Sequence, residues 1–138
     1  MLMLAACQNY PRDTAGTLER IQSGHVVRVG LIAGEAETRD QAKIAAYLDR
    51  VSKATGARAV VTRGAAEPLL LRLDQGALDL VIGDMSESSP WVADVMVIEP
   101  IGETMIGKKR VLLSPIARNG ENRWIMLLER AVRDGAGA

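Results

Sequence analysis

The chain has 138 residues, with 17 basic and 17 acidic side chains, 48% hydrophobic and 25% charged residues, the balance of one ordinary folded domain. A formal net charge of zero removes the overall basic field that holds a phosphate backbone, so no nucleic acid is expected as a partner. One histidine, His25, and one cysteine, Cys7, are too few for most metal centres and nucleophile–histidine pairs, so no metal, cofactor or catalytic function is expected.

Residues 1–24 differ in character from the rest of the chain. Leu4-Ala5-Ala6-Cys7 resembles, at all four positions, the lipobox of bacterial lipoproteins, in which the cysteine carries the lipid. Only six residues precede Cys7, fewer than a secretory signal needs, so residues 1–7 read as a partial signal that begins further upstream. Residues 8–24 read as a tether or short N-terminal helix. Thr17-Leu18-Glu19-Arg20-Ile21 forms its helical turns, Asp13 or Thr14 caps it and Gly24 ends it.

Residues 25–134 are the expected globular domain. His25 to Ala33 is β-branched and apolar, as in a buried strand. Thr38-Arg39-Asp40-Gln41 has the spacing of a capping box, with Ile44, Leu48 and Val51 at helical intervals after it and Gly56 as a left-handed stop. Arg58 to Thr62 is a second strand, Glu67 to Leu73 a second helix stopped at Gly76, and Leu78 to Gly83 a third strand. This alternation predicts an α/β fold with an open, mostly parallel sheet and flanking helices. Further along, the chain has a Ser-rich loop to Trp91, short strands at Val95 to Ile98, Ile101 to Gly107 and Arg110 to Ser114, and a last helix. Asn122 caps that helix, which has Trp124, Leu127, Leu128 and Ala131 on its core face. Residues 135–138 read as a frayed tail.

The charges are segregated. Asp74 to Glu103 carries seven acidic residues and no Lys or Arg, whereas Gly107 to Arg133 carries seven basic residues against Glu121 and Glu129. Complementary solvated faces account for this, as does a rim selecting a cationic solute or a patch for anionic lipid. Gly102 to Lys108 fits the first part of a phosphate-binding loop. Lys109 stands where Ser or Thr must bind Mg²⁺, and a strand follows instead of a helix, so nucleotide hydrolysis is not expected. His25 sits at the wrong end of its strand for a general base, and Asp79, Asp84 and Glu87 show no pairing that goes beyond a solvated acid cluster.

Open α/β sheets bind ligands beyond the carboxyl ends of their strands, which selects the loops Gly34 to Arg39, Arg63 to Ala65 and Asp84 to Trp91. The third brings Ser86, Ser88 and Ser89 beside Asp84, with Trp91 as an aromatic wall. The candidate ligand contacts are Gly34, Arg63, Asp84, Ser86, Ser88 and Trp91.

HVVRVGLIA, TGARAVVTRGAAEPLLLRLDQGALDLVIGDM and SSPWVADVMVIEPI together resemble the first lobe of extracellular solute-binding proteins of family 3, the substrate-binding components of ABC transporters. LRLDQGALDLVIGDMSESSPW is the most specific part. The resemblance implies one lobe of the type II periplasmic binding protein fold, a small polar solute, an ABC permease or another envelope protein as partner, and a periplasmic site with a lipid anchor at Cys7. Three features depart from the family. Lys108 to Ser114 leads straight into the last helix, leaving one lobe and an open face through which a homodimer can form. Pro90-Trp91-Val92-Ala93 also lacks the arginine that grips an amino acid's carboxylate, and Gly34-Glu35-Ala36-Glu37 lacks the usual aromatic residues. The alternative expectation is an envelope interaction module that binds no small molecule.

Overall fold

The first strand, β1 (Val26–Ile32), alternates its side chains so strictly that Val27, Val29 and Leu31 enter one apolar layer and Ile32 the other. The structure is a computed structural model that describes residues 12–85 and 89–136; Cys7, Ser86, Glu87 and Ser88 lie outside the described residues. Before β1 stands α1 (Thr17–Gly24). His25 is not part of the strand; it takes the left-handed conformation at φ 57° and closes α1 through its N–H to the Ile21 carbonyl at 2.8 Å.

After β1 comes a single turn, α2 (Glu35–Arg39), and then α3 (Gln41–Thr55), which buries Ile44, Tyr47, Val51 and Thr55. The capping box expected at Thr38 does not form. Thr38 lies inside α2, where its hydroxyl donates to the Gly34 carbonyl at 2.9 Å, and α3 starts with no side-chain cap from Asp40. Gly56, at φ 70°, stops α3 as expected, its N–H donating to the Ser52 carbonyl. Next come β2 (Arg58–Gly64), α4 (Ala66–Asp74) and β3 (Leu80–Gly83). β3 begins two residues later than the sequence suggests, because the amides of Ala77 and Leu78 both donate to the Arg72 carbonyl to close α4.

β1 pairs in parallel with β2 and with β3, so the expectation of a parallel sheet holds for β2-β1-β3. From there the sheet is mixed. A 3-10 turn (Pro90–Ala93) leads to β4 (Val95–Val97), β5 (Gly102–Ile106) and the long β6 (Lys109–Arg118), and β6 runs antiparallel to β3, β4 and β5. The strand order is β2-β1-β3-β6-β4, with β5 continuing beside β6. Ile98 and Ile101 donate to the Pro115 and Leu113 carbonyls, keeping β4 and β5 along one edge of β6. Pro115 has no N–H to return to Ile98, and the ladder breaks there at Glu99-Pro100. Gly107, at φ 62°, turns β5 into β6.

The last helix, α5 (Asn122–Ala136), extends through Gly135 and Ala136. It joins α1 and α3 over one face of the sheet, around Tyr47, Trp124, Leu128 and the inward residues of β1, β3 and β6. α4 covers the other face with Leu69, Leu70 and Leu73 against Val81 and Ile116. Glycine is required where the chain packs closest: a Cβ at Gly83 would lie 2.5–2.7 Å from the Ile32 side chain. Trp124, Leu128 and Ala131 are buried as expected, with Ile125 and Val132 beside them, but Leu127 is only partly buried. Asn122 is the first residue of α5, and the side-chain cap comes from Asp13, whose carboxylate accepts from the Trp124 amide at 2.9 Å.

Candidate functional site

The parallel register puts Leu31, Arg63 and Ile82 at one level, so the chain leaves β1, β2 and β3 together at one edge of the sheet. Gly34, Arg63 and Asp84 are all exposed along this edge, and Trp91 is half-buried against the α4 layer with Met85 and Ile32. The Ser89 hydroxyl accepts from the Trp91 amide at 3.3 Å and caps the 3-10 turn that holds the indole. Ser86 and Ser88, between Asp84 and this turn, lie outside the described residues.

Arg63 already has a partner. Its Nε and Nη2 donate to the two carboxylate oxygens of Glu37 at 2.8 and 2.7 Å, a bidentate pair between the end of β2 and α2. Glu37 is 3% exposed, while 55% of the Arg63 side chain remains in solvent. The Arg63 guanidinium, helped by the Gly34 amide and the Thr38 hydroxyl, holds the Glu37 carboxyl below its ordinary range against the opposing effect of burial. Arg39 is likewise held, by Glu35 and by the Met105 carbonyl at 2.9 Å, which ties α2 to β5. With both arginines neutralised, Asp84 presents an exposed carboxylate at the start of the loop that leads to the Trp91 wall.

The structure therefore joins Gly34 to Arg63 through Glu37 and places Asp84 and Trp91 on the loop of the neighbouring strand. Sequence reading did not single out Glu37. The only signal was an acidic residue after β1 and an arginine ending β2, two strands that become neighbours once the sheet forms.

The other charged groups singled out in the sequence lie elsewhere. Asp79 sits before β3, at the opposite edge, with its side chain fully buried. It accepts from Arg20 Nη2 at 2.7 Å, Arg28 Nη2 at 2.9 Å and the Arg28 amide at 2.8 Å. Burial pushes its carboxyl up, but the Arg28 and Arg20 hydrogen bonds outweigh this and leave it below the ordinary range. This is a structural clamp. His25 is exposed at the same amino edge, and Gly102 to Lys108 forms a hairpin with no helix after it. Among the described residues no group of three His, Cys, Asp or Glu side chains has the arrangement of a metal site, and no helix is long and apolar enough to cross a membrane.

No protein-family model matches the chain, and no curated protein matches it in sequence. Solved structures do. A point mutant of the arginine-bound form of domain 1 from TmArgBP has 13% identity and a TM-score of 0.70 over 88% of this chain and 99% of that one. An ancestral cationic amino acid solute binding protein, AncCDT-1, has 10% identity and a TM-score of 0.68 over 88% of this chain and 94% of that one. The VFT2 domain of Bordetella pertussis BvgS has 10% identity and a TM-score of 0.66 over 90% and 94%. At such identities the likeness establishes the fold: an open α/β sheet with flanking helices, as in a single lobe of a periplasmic binding protein.

Proposed function

We propose that the chain is a solute-binding lobe of the family 3 type, taking a small polar solute at the carboxyl edge of β1, β2 and β3 without catalysis. The observation that carries this reading is the likeness over nearly the whole length of a single domain that was itself obtained in an arginine-bound form. One lobe of this fold thus suffices to hold a solute in that protein. Here Asp84 accepts from the solute's donors, Trp91 supplies the apolar wall, and the Gly34 backbone closes the near side. Ser86 and Ser88 add hydroxyls from the same loop. Arg63 contributes through its exposed guanidinium edge, because Glu37 occupies its inner face.

In this reading the domain works outside the cytoplasm, anchored through a lipid on Cys7, and passes its solute to an ABC permease. The apolar positions facing solvent on the late strands, Met96, Met105 and Leu112, favour a second reading. There the open lobe serves as an envelope interaction module or homodimer with no small ligand.

A thermal-shift screen of the purified chain against amino acids, polyamines, small peptides and organic acids separates the two readings. A ligand at about 100 times its Kd adds about 2.7 kcal/mol, several degrees of Tm for a domain of this size. One chemical class should raise Tm, and Asp84→Ala should abolish the shift without lowering the ligand-free Tm. Cooperative melting with no shift from any class would overturn solute binding in favour of the interaction module.

A further inference from the structure

A groove of about 750 Å³ opens on the helical face, between α1, α3 and α5, away from the strand-end loops. Its floor is apolar, made by Leu18, Ala54, Leu127 and Ala131. Arg12, Arg50, Arg123 and Arg130 stand around it, and Met126 is 45% exposed beside them. We infer that this face docks on an anionic phospholipid surface, the arginines taking headgroup phosphates and Met126 with the groove floor taking the acyl boundary.

Three observations support this assignment. At 100° per residue, Arg123, Met126, Arg130 and Arg133 fall within an arc of about 80° on α5, forming a basic stripe with one apolar residue in it. Among the described residues, the ion pairs engage Arg20, Arg28, Arg39, Arg63 and Arg110 but none of the stripe arginines. Of the acidic residues in the groove, Asp13 has both carboxylate oxygens taken by helix amides, leaving Glu19 and Asp134 at the rim and Glu129 flanking the stripe.

The third observation is how near the groove lies to Cys7 along the chain. Arg12 lines the groove, and Cys7 lies five residues upstream, a reach of at most about 18 Å even when fully extended. The orientation therefore rests on the proposed anchoring at Cys7: a lipid there brings this face against the bilayer. Asp13 is tied to Trp124, whose indole N–H donates to the Asp79 carbonyl at the amino edge of the sheet, the edge opposite the solute loops.

The test uses residues 1–138 unacylated, so that it does not depend on whether Cys7 is modified. Its co-sedimentation is compared with vesicles of equal parts phosphatidylglycerol and phosphatidylcholine and with phosphatidylcholine alone. Binding should favour the anionic vesicles, weaken as salt is raised, and fall about fivefold for each of Arg123→Gln and Arg130→Gln while Tm stays unchanged. Equal binding to both vesicles, no binding, or unchanged binding of the double variant overturns the proposal. Self-association that the same substitutions abolish, without vesicle binding, overturns it in favour of a protein contact. Mass analysis of the membrane-extracted protein reads the acylation of Cys7 separately.

Discussion

Among single residues, Asp79 ties together α1, β1 and α5. Its side chain is withdrawn from water and meets guanidinium groups from α1 and β1, while its own N–H and C=O serve the Arg28 carbonyl and the Trp124 indole. Asp79→Asn keeps the shape but leaves two arginines facing a neutral amide. Because Arg20 and Arg28 stay partly solvated, the loss should sit at the lower end for a broken buried pair, about 3 kcal/mol, measured by urea denaturation. In the sequence Asp79 was one acid among seven in an acidic stretch, and nothing local told it from its neighbours. Glu37 was hidden for the same reason: its partner is 26 residues away and becomes adjacent only through the β1–β2 register.

The elements hold at their ends through side chains from remote parts of the chain. One oxygen of Asp13 accepts from the Leu18 amide in the first turn of α1 and the other from the Trp124 amide in the first turn of α5. Glu121, 1% exposed, accepts from the Ala15 amide and the Thr17 hydroxyl and locks the same junction. Asp13→Ala removes both caps and should cost about 2 kcal/mol, with amide exchange accelerated at Leu18 and Trp124 while β1 and β3 stay protected. Helix existence, and the stops at Gly56 and Gly76, were legible because periodicity and left-handed glycines are local properties. The cap of α1 at Asp13 was legible too, but those of α3 and α5 were not, since Thr38 lies in α2 and Asn122 inside the helix it was expected to begin. The β4–β5–β6 edge was legible as short strands, but their pairing with one long strand was not.

For the whole molecule, acid is the condition that should unfold it. The carboxyls of Glu37, Asp79 and Glu121 all lie below their ordinary values in the fold, the first through Arg63, the others because hydrogen bonds outweigh burial. Groups with depressed folded values bind fewer protons in the native state than in the unfolded one. Their contribution is complete above the ordinary carboxylate range, about pH 4, and is lost as pH falls through the folded values. Stability against urea should therefore be level above about pH 5 and decline steeply below about pH 4. Glu121→Gln should flatten that decline; an unchanged slope would mean that other carboxylates dominate it.

Although Gly34 to Arg39, read as a loop, holds α2, the amino-acid pattern was enough for the class of fold and for a parallel sheet of β1, β2 and β3. Those follow from hydrophobic period, glycine stops and connection length, all properties of neighbouring residues. Only the tertiary structure decided that β6 runs antiparallel into the sheet, that Arg63 is already engaged by Glu37, and that one aspartate caps two helices. Each of these depends on groups far apart in the chain meeting across the sheet or the helical layer, where burial and paired charge select a partner that no local pattern names.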